Sequence, residues 1–190
     1  MIKPALTLLL ALGLSACSLP TKAPAPAVYD LGPAPGVAAA GGSLAWRIAE
    51  VTAPPWLAGD GIAYRLGFEQ AQRLEHYRDS AWAAPPAALI TQRLREQLAT
   101  VPACAGQAAG LLAINLDEFE QVFSSPTSSQ AVLRLHATLW PAGSGAALQQ
   151  HWRLERPAAS ADAPGAVRAL AQAVDDWLPQ LAGWLAASCR

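Results

Sequence analysis

The chain has 190 residues, of which 53% are hydrophobic and 14% are charged, and its formal net charge is −1 at pH 7. It contains no block of basic residues, so nucleic acid is not expected as a partner. Seven tryptophans are many for this length, and we expect some of them at the surface. Removing a leader of sixteen residues, as argued next, leaves 174 residues, which is about one domain.

The N-terminus has the pattern of a bacterial lipoprotein signal peptide. One positive charge, Lys3, precedes an apolar run, Ala5–Leu14, that is too short to span a hydrocarbon core of roughly 30 Å. The ending Leu14–Cys17, LSAC, resembles a lipobox, after which Cys17 carries a diacylglycerol and an N-acyl chain. We therefore predict residues 1–16 as the signal peptide and Cys17 as a stable membrane anchor. The alternative is an ordinary secretory signal that happens to precede a cysteine.

The residues after the anchor predict a location and a tether. By the sorting rule of enteric bacteria, Asp after the lipidated cysteine retains the protein in the inner membrane, whereas Ser18 favours the outer membrane, facing the periplasm. Residues 17–43 are rich in Pro, Ala and Gly, and 18–27 alone can reach on the order of 30 Å at about 3.1 Å per residue. A short strand-like piece lies at 28–31. We expect the folded domain at 44–190.

The remaining two cysteines fit an oxidising compartment. With Cys17 lipidated, Cys104 and Cys189 form an even pair that could close a disulfide. Such a bond would close a long loop and constrain the unfolded chain. Two free thiols are the alternative, whereas two isolated cysteines are poor metal ligands.

The first half of the domain predicts two strands and a helix. Strands are expected at 45–53 and 62–68, as a hairpin or as neighbours, because a Gly-Asp-Gly turn precedes the second. Residues 69–80 are polar and predict a loop with at most a short helical turn. A helix follows Pro85-Pro86, with Ile90, Leu94 and Leu98 on its apolar face and residues 92, 93, 95 and 96 facing water.

The second half predicts a meander and a long helix. Strands at 111–123, 130–140 and 148–156 are separated by short polar turns, and a break in alternation near Asp117 indicates a bulge or a twist. A helix is expected at 162–187 with Asp162 as its N-cap, kinked or split at Pro179. The order predicts an α+β fold, an antiparallel sheet of about five strands with two helices packed on one face.

The sequence offers no set of catalytic residues. Nucleophile-elbow, zinc-protease and phosphate-loop motifs are absent from it, so the chain cannot itself hydrolyse ATP. Its three histidines lie on different predicted elements, which argues against a metal site. The carboxylates Asp117, Glu118 and Glu120 are more simply a solvated strand end or a surface that faces a partner. We therefore predict a non-enzymatic protein with no metal and no cofactor besides the lipid.

Several segments in order resemble the auxiliary lipoproteins of ABC-type transport systems, the family that includes the PqiC lipoprotein. The likeness covers nearly the whole mature chain, although no single piece is specific. The segments are Tyr29–Gly32, Arg47–Val51 with Pro55–Leu57, Tyr64–Leu66, Tyr77–Trp82 and Leu116–Phe123.

The resemblance implies a role beside other proteins. Such lipoproteins work with an MCE-domain protein, a membrane permease and a separate ATPase that move phospholipids or related lipids across the Gram-negative envelope. The family has no catalytic residues to transfer to this chain. A ring or other homo-oligomer around a tubular partner is compatible with the sequence, which does not give the number of subunits.

Two segments are candidates for partner contact. They are Trp56-Leu57, beyond a double proline, and the stretch from Tyr77 to Trp82. The alternative for Tyr77 and Trp82 is that both simply fill the edge of the sheet. Two other functions stay open: a periplasmic lipid carrier with an apolar cavity between sheet and helices, and an envelope-structural lipoprotein that binds peptidoglycan or another outer-membrane assembly.

Overall fold

The computed structural model describes residues 25–35, 46–98, 110–142 and 145–188. Seven strands form one sheet, and two α-helices accompany it. In chain order the elements are β1 (Ala27–Tyr29), β2 (Trp46–Ile48), a 3-10 turn (Pro55–Leu57), β3 (Gly61–Leu66), β4 (Glu75–Trp82), α1 (Pro86–Leu98), β5 (Gly110–Ser125), β6 (Ser128–Trp140), β7 (Leu148–Pro157) and α2 (Ala163–Ala187).

The predicted meander is confirmed as β5, β6 and β7, which pair antiparallel in sequence order. The predicted bulge is also present, since the pairing of β5 with β6 shifts between Leu116 and Glu118. The shift lets Leu116 and Phe119, three residues apart, both point into the core, where each is almost completely buried. The opposite face of these strands carries polar and charged side chains.

The prediction of about five antiparallel strands is wrong, because the sheet has seven strands and is mixed. The predicted hairpin of the first two strands is also absent. Instead β2 and β3 both run parallel to β5, β2 beside its first residues and β3 beside Glu120–Phe123. The two strands therefore lie one after the other along one edge of β5, and residues 53–60 loop out between them.

Residues 69–80, predicted as a loop, contain most of β4. Strand β4 pairs antiparallel with β3, but the register is irregular. Residue 76 of β4 pairs with residue 63 of β3, whereas residue 81, five positions further along β4, pairs with residue 61, only two positions away on β3. This irregularity hides the alternation that would have indicated a strand, because Tyr77 and Trp82 are five positions apart, and side chains five positions apart on a regular strand point to opposite faces. On its other side β4 pairs parallel with β1. The sheet thus includes residues 27–29, which the sequence assigned to the tether, so the fold begins well before residue 44.

Both helices share one hydrophobic core with the inner face of the sheet. Ile90 and Leu94 of α1 and Leu170 and Trp177 of α2 are fully buried there. The Asp162 side chain accepts a hydrogen bond from the Gly165 amide at 2.8 Å, which confirms the predicted N-cap. Pro179 lies inside α2 without splitting it. No helix in the described ranges is both long and apolar enough to cross a bilayer.

Several sequence-based predictions concern residues outside the described ranges. They are the signal peptide at 1–16, the lipidation site Cys17, the sorting residue Ser18, most of the tether, and the two cysteines of the expected disulfide, Cys104 and Cys189. The predictions for them stay as they were made.

Candidate functional site

Trp56 is the most exposed aromatic side chain among the described residues, with 61% of its surface accessible. It lies in the 3-10 turn, in the loop between the two strands that follow the edge of β5. Pro54 is extended (φ −66°, ψ 159°), and the carbonyls of Pro54 and Pro55 accept hydrogen bonds from the amides of Leu57 and Ala58 at 2.9 and 3.2 Å. Because Leu57 is only 4% exposed, the turn is fixed by a buried side chain next to the exposed indole.

The segment before the turn is held on two sides. Toward the sheet, Thr52 donates its amide to the Ile114 carbonyl at 3.0 Å and accepts at its own carbonyl from the Leu116 amide at 2.8 Å. Toward α1, the Val51 amide donates to the Thr91 hydroxyl at 2.9 Å, and that hydroxyl donates to the Ala87 carbonyl at 2.7 Å. Trp56 is therefore presented on a support joined to both the sheet and a helix, which lowers the entropy lost on binding.

A groove of about 780 Å³ runs between this segment and α1, and we call it the α1 groove. Its lining combines apolar and polar side chains, and Arg95 lies 3.8 Å from Glu50 while Gln92 donates to Glu96 at 3.0 Å. Apolar side chains with a small number of polar groups are the usual lining of a ligand-binding surface. The apolar residues that line it are Val51, Ala53, Leu57, Ala58, Pro85, Ala87 and Ala88.

A second cavity of about 410 Å³ lies on the other side of the turn, above the polar face of β5 and β6. Trp56 lines it together with Asp117 and His136, whose Nδ1 is 2.9 Å from an Asp117 carboxylate oxygen. The His136 ring stacks on that of His151 with centroids 5.4 Å apart. Ala53 lines both cavities, so the turn forms the wall between an apolar groove and a polar one.

The four residues predicted to contact a partner are not equivalent in the structure. Trp56 is at the surface, whereas Leu57 and Trp82 are 4% and 2% exposed and present no surface to a partner. The Trp82 ring packs on Phe119 with centroids 5.4 Å apart, so Trp82 has a buried packing role, in the hydrophobic core and not at the sheet edge where the alternative interpretation placed it.

Tyr77 is partly buried and lies away from the Trp56 turn. Its hydroxyl donates to Gln121 Oε1 at 2.6 Å, and its ring is 4.7 Å from that of Tyr64. Burial raises the pKa of Tyr77 to about 12, with smaller contributions from Asp162 and Tyr64. These contacts join β4 to β5.

The sequence missed the role of Arg93, which was expected to face water but is only 3% exposed on its side chain. Its guanidinium donates to the carbonyls of Leu31 at 2.7 Å and Gly32 at 2.6 Å, and to Asp175 at 2.9 Å. Arg93 therefore fixes the segment after β1 to both helices. The signal that could have revealed it is spacing, because Arg93 is three residues from Ile90 and shares its buried face.

No cluster of three or more histidine, cysteine or acidic side chains suited to a metal occurs in the part of the chain that the structure describes. The carboxylates Glu118 and Glu120 form ion pairs with arginines on the polar sheet face: Glu118 with Arg134 and Arg153, and Glu120 with Arg65. Asp175 and Asp176 point apart, toward Arg93 and Arg156. What this geometry provides is a rigid, exposed indole between two grooves.

A comparison of the sequence with protein families shows which family the chain belongs to. The model of the ABC-type transport auxiliary lipoprotein component matches residues 29–182. The chain belongs to this family. The match begins within β1, in agreement with a fold that starts before residue 44, and it covers both cavities beside Trp56. No curated protein matches the chain.

Two solved structures share the fold. One is a Xanthomonas campestris protein assigned to the DUF330 family, with 22% sequence identity and a TM-score of 0.64 over 84% of this chain and 92% of that one. The other, described as an uncharacterized protein, has 19% identity and a TM-score of 0.65 over 85% of this chain and 99% of that one. At these identities the likeness concerns the fold alone.

Proposed function

We propose that this chain is a non-catalytic auxiliary component of an ABC/MCE-type lipid transport system. It is anchored by diacylglycerol and N-acyl chains on Cys17 to the periplasmic side of the outer membrane. Family membership supports the transport role. The proposed lipid anchor and outer-membrane location rest on the N-terminal motif. The proposed MCE-domain, permease and ATPase partners rest on the resemblance to the family. In this proposal the domain acts by docking to a protein partner.

The observation that carries the docking role is Trp56. Binding energy at interfaces concentrates in a few residues, among which tryptophan is over-represented. An indole 61% exposed on a support bonded to a strand and a helix is pre-organised to bury its apolar surface against a partner. We place the contact with the MCE-domain protein at Trp56 and the adjoining α1 groove.

The test is binding of the lipidated full-length chain, in detergent, to the MCE-domain protein encoded beside it. Trp56→Ala should weaken binding roughly thirtyfold, as expected for loss of about 2 kcal/mol at a hot spot. Trp140→Ala is the matched control, because this indole is also exposed, at 44%, but lines neither cavity. It should change affinity less than threefold.

The two possible failures are distinct. Equal effects of the two substitutions would refute the position of the contact but not the interaction. Absence of binding by the unsubstituted chain, or of MCE, permease and ATPase genes near its own, would refute the proposed role.

A lipid carrier is a second candidate because the α1 groove is large enough, at about 780 Å³, for an acyl chain. The interior between sheet and helices, where such a cavity was expected, is instead filled by fully buried side chains such as Leu133, Leu135 and Trp177. Native mass spectrometry of the purified chain tests this function. Bound phospholipid that Ala88→Trp displaces from the groove would support it, and lipid-free protein would exclude it.

A further inference from the structure

Strand β7 ends the sheet on one side, and within the described residues it pairs only with β6. That pairing runs from Leu148 to Pro157 without a register shift, so β7 is a long and regular edge. The strand at the other end of the sheet, β1, has only three residues. About half of the backbone N–H and C=O groups of β7 point away from β6, apart from Pro157, which has no N–H. Such an edge is a template for another strand.

The side chains of β7 are self-complementary. We propose that β7 pairs antiparallel with β7 of a second copy of this chain, with Leu154 on the two-fold axis. The overlap then covers residues 151–157, and Arg153 of each copy faces Glu155 of the other on the polar side of the sheet. Within one chain Arg153 already lies 2.8 Å from Glu155 and 2.7 Å from Glu118, and the side chains of Arg153 and Glu155 are 49% and 43% exposed, so pairing of two copies would join two such clusters into one charge network. Opposite charges directly across an antiparallel pair are favourable.

Neighbouring registers lack this match. An axis through Arg153 or through Glu155 places each of these side chains against its own copy, with like charges in contact. An axis through Trp152 places Arg153 opposite His151 and Glu155 opposite Gln149, so no opposite charges meet. Odd shifts are excluded, because they would pair a core-facing residue with a solvent-facing one. Charge therefore selects the axis at Leu154.

The helix on β7 is compatible with this pairing. α2 packs on β6 and β7, and its Trp184 ring lies 5.7 Å from that of Trp152. With strands about 4.8 Å apart, the α2 helices of two copies would lie side by side at roughly 10 Å, a usual packing distance. β1, where the tether enters, lies at the far edge of each copy. The dimer therefore leaves the tether free.

The test is to reverse charges in the lipidated full-length chain and to measure its dimerisation by sedimentation velocity in detergent. Arg153→Glu makes the paired positions all acidic and Glu155→Arg makes them all basic. Each variant alone should dimerise roughly tenfold more weakly than the unsubstituted chain. An equimolar mixture of the two should recover dimers, because each acidic position then faces a basic one. Gln149→Arg, exposed on β7 but outside the overlap, should dimerise normally.

Hydrogen exchange gives an independent readout that needs no substitution. Amides facing out from residues 151–157 should become more protected as the concentration of the unsubstituted chain rises, whereas those of β1 should not. A chain that stays monomeric at every concentration, or single variants that dimerise normally, would overturn the proposal. If a variant does not fold, as judged by circular dichroism, exchange decides. Binding of the MCE-domain protein through Trp56 does not depend on either result.

Discussion

Replacing Arg93 by methionine should both destabilise the domain and release its N-terminal segment. The side chain is 3% exposed and donates hydrogen bonds to the carbonyls of Leu31, Gly32 and Pro33 and to the Asp175 carboxylate. Removing one partner of a buried ion pair costs about 3–5 kcal/mol. Because Asp175 keeps 22% of its side chain exposed and Gly32 is exposed, water can replace part of these bonds. We expect a loss of about 3 kcal/mol.

The effect should be greatest near β1. Its three residues pair only with β4 in the described part of the sheet, and Arg93 holds the chain just after them. Without the arginine, residues 27–33 should detach in a fraction of molecules, which would lengthen the tether by about 20 Å at about 3.1 Å per residue. With the proposed anchor at Cys17, Arg93 would thus set how far the domain can move from the membrane.

Urea denaturation gives the loss of stability, and hydrogen exchange of residues 27–33 locates it. Arg95→Met is the control on the same helix, because Arg95 is 58% exposed and lies 3.8 Å from Glu50, itself 85% exposed. Such a surface pair contributes at most about 0.5 kcal/mol. Arg93→Lys, which keeps the charge but loses the planar fork, should fall between the two. The reasoning fails if Arg93→Met costs no more than Arg95→Met.

Two further changes test the local chemistry. Because the pKa of Tyr77 is raised to about 12 and that of an unfolded tyrosine is about 10, the folded state holds this proton more tightly. The contribution of this raised pKa to the free energy of unfolding is complete below pH 10 and is lost as the pH rises toward 12. Tyr77→Phe should therefore flatten the fall of stability with pH seen in denaturation curves. An unchanged dependence of stability on pH would contradict the assignment. Asp162→Ala should cost about 1 kcal/mol by removing the N-cap of α2, whereas Asp162→Asn should cost much less, since asparagine caps equally well; equal thermal shifts would contradict the capping role.

Elements specified by neighbouring residues were predictable from the sequence. The turns of the meander, the apolar spacing of α1 and α2, and the cap at Asp162 are all signals within a few residues of one another. The break in alternation at Asp117 was enough to place the bulge, because a strand must shift register for Leu116 and Phe119 to share a face. The N-terminal motif around Cys17 is equally local, and it stays a prediction.

The pairing of distant segments was not predictable, because a strand's sequence does not state its neighbour. β2 and β3 looked like a hairpin since a turn separates them, yet both lie parallel to β5, which follows in the chain only after β4 and α1. β4 was missed because its irregular register removes the period of two. β1 was too short to distinguish from the tether.

The candidate site depended on those pairings. The sequence singled out Trp56-Leu57, beyond a double proline, as a candidate for partner contact, but only the placement of β2 and β3 along one edge of β5 makes this segment project from the sheet. Packing then buries Leu57 and leaves Trp56 exposed. Arg93 shows the same limit, since a charged side chain is buried only where carbonyls and a carboxylate from distant segments meet it. The sequence by itself determined the local elements, and the tertiary structure decided which side chains face a partner.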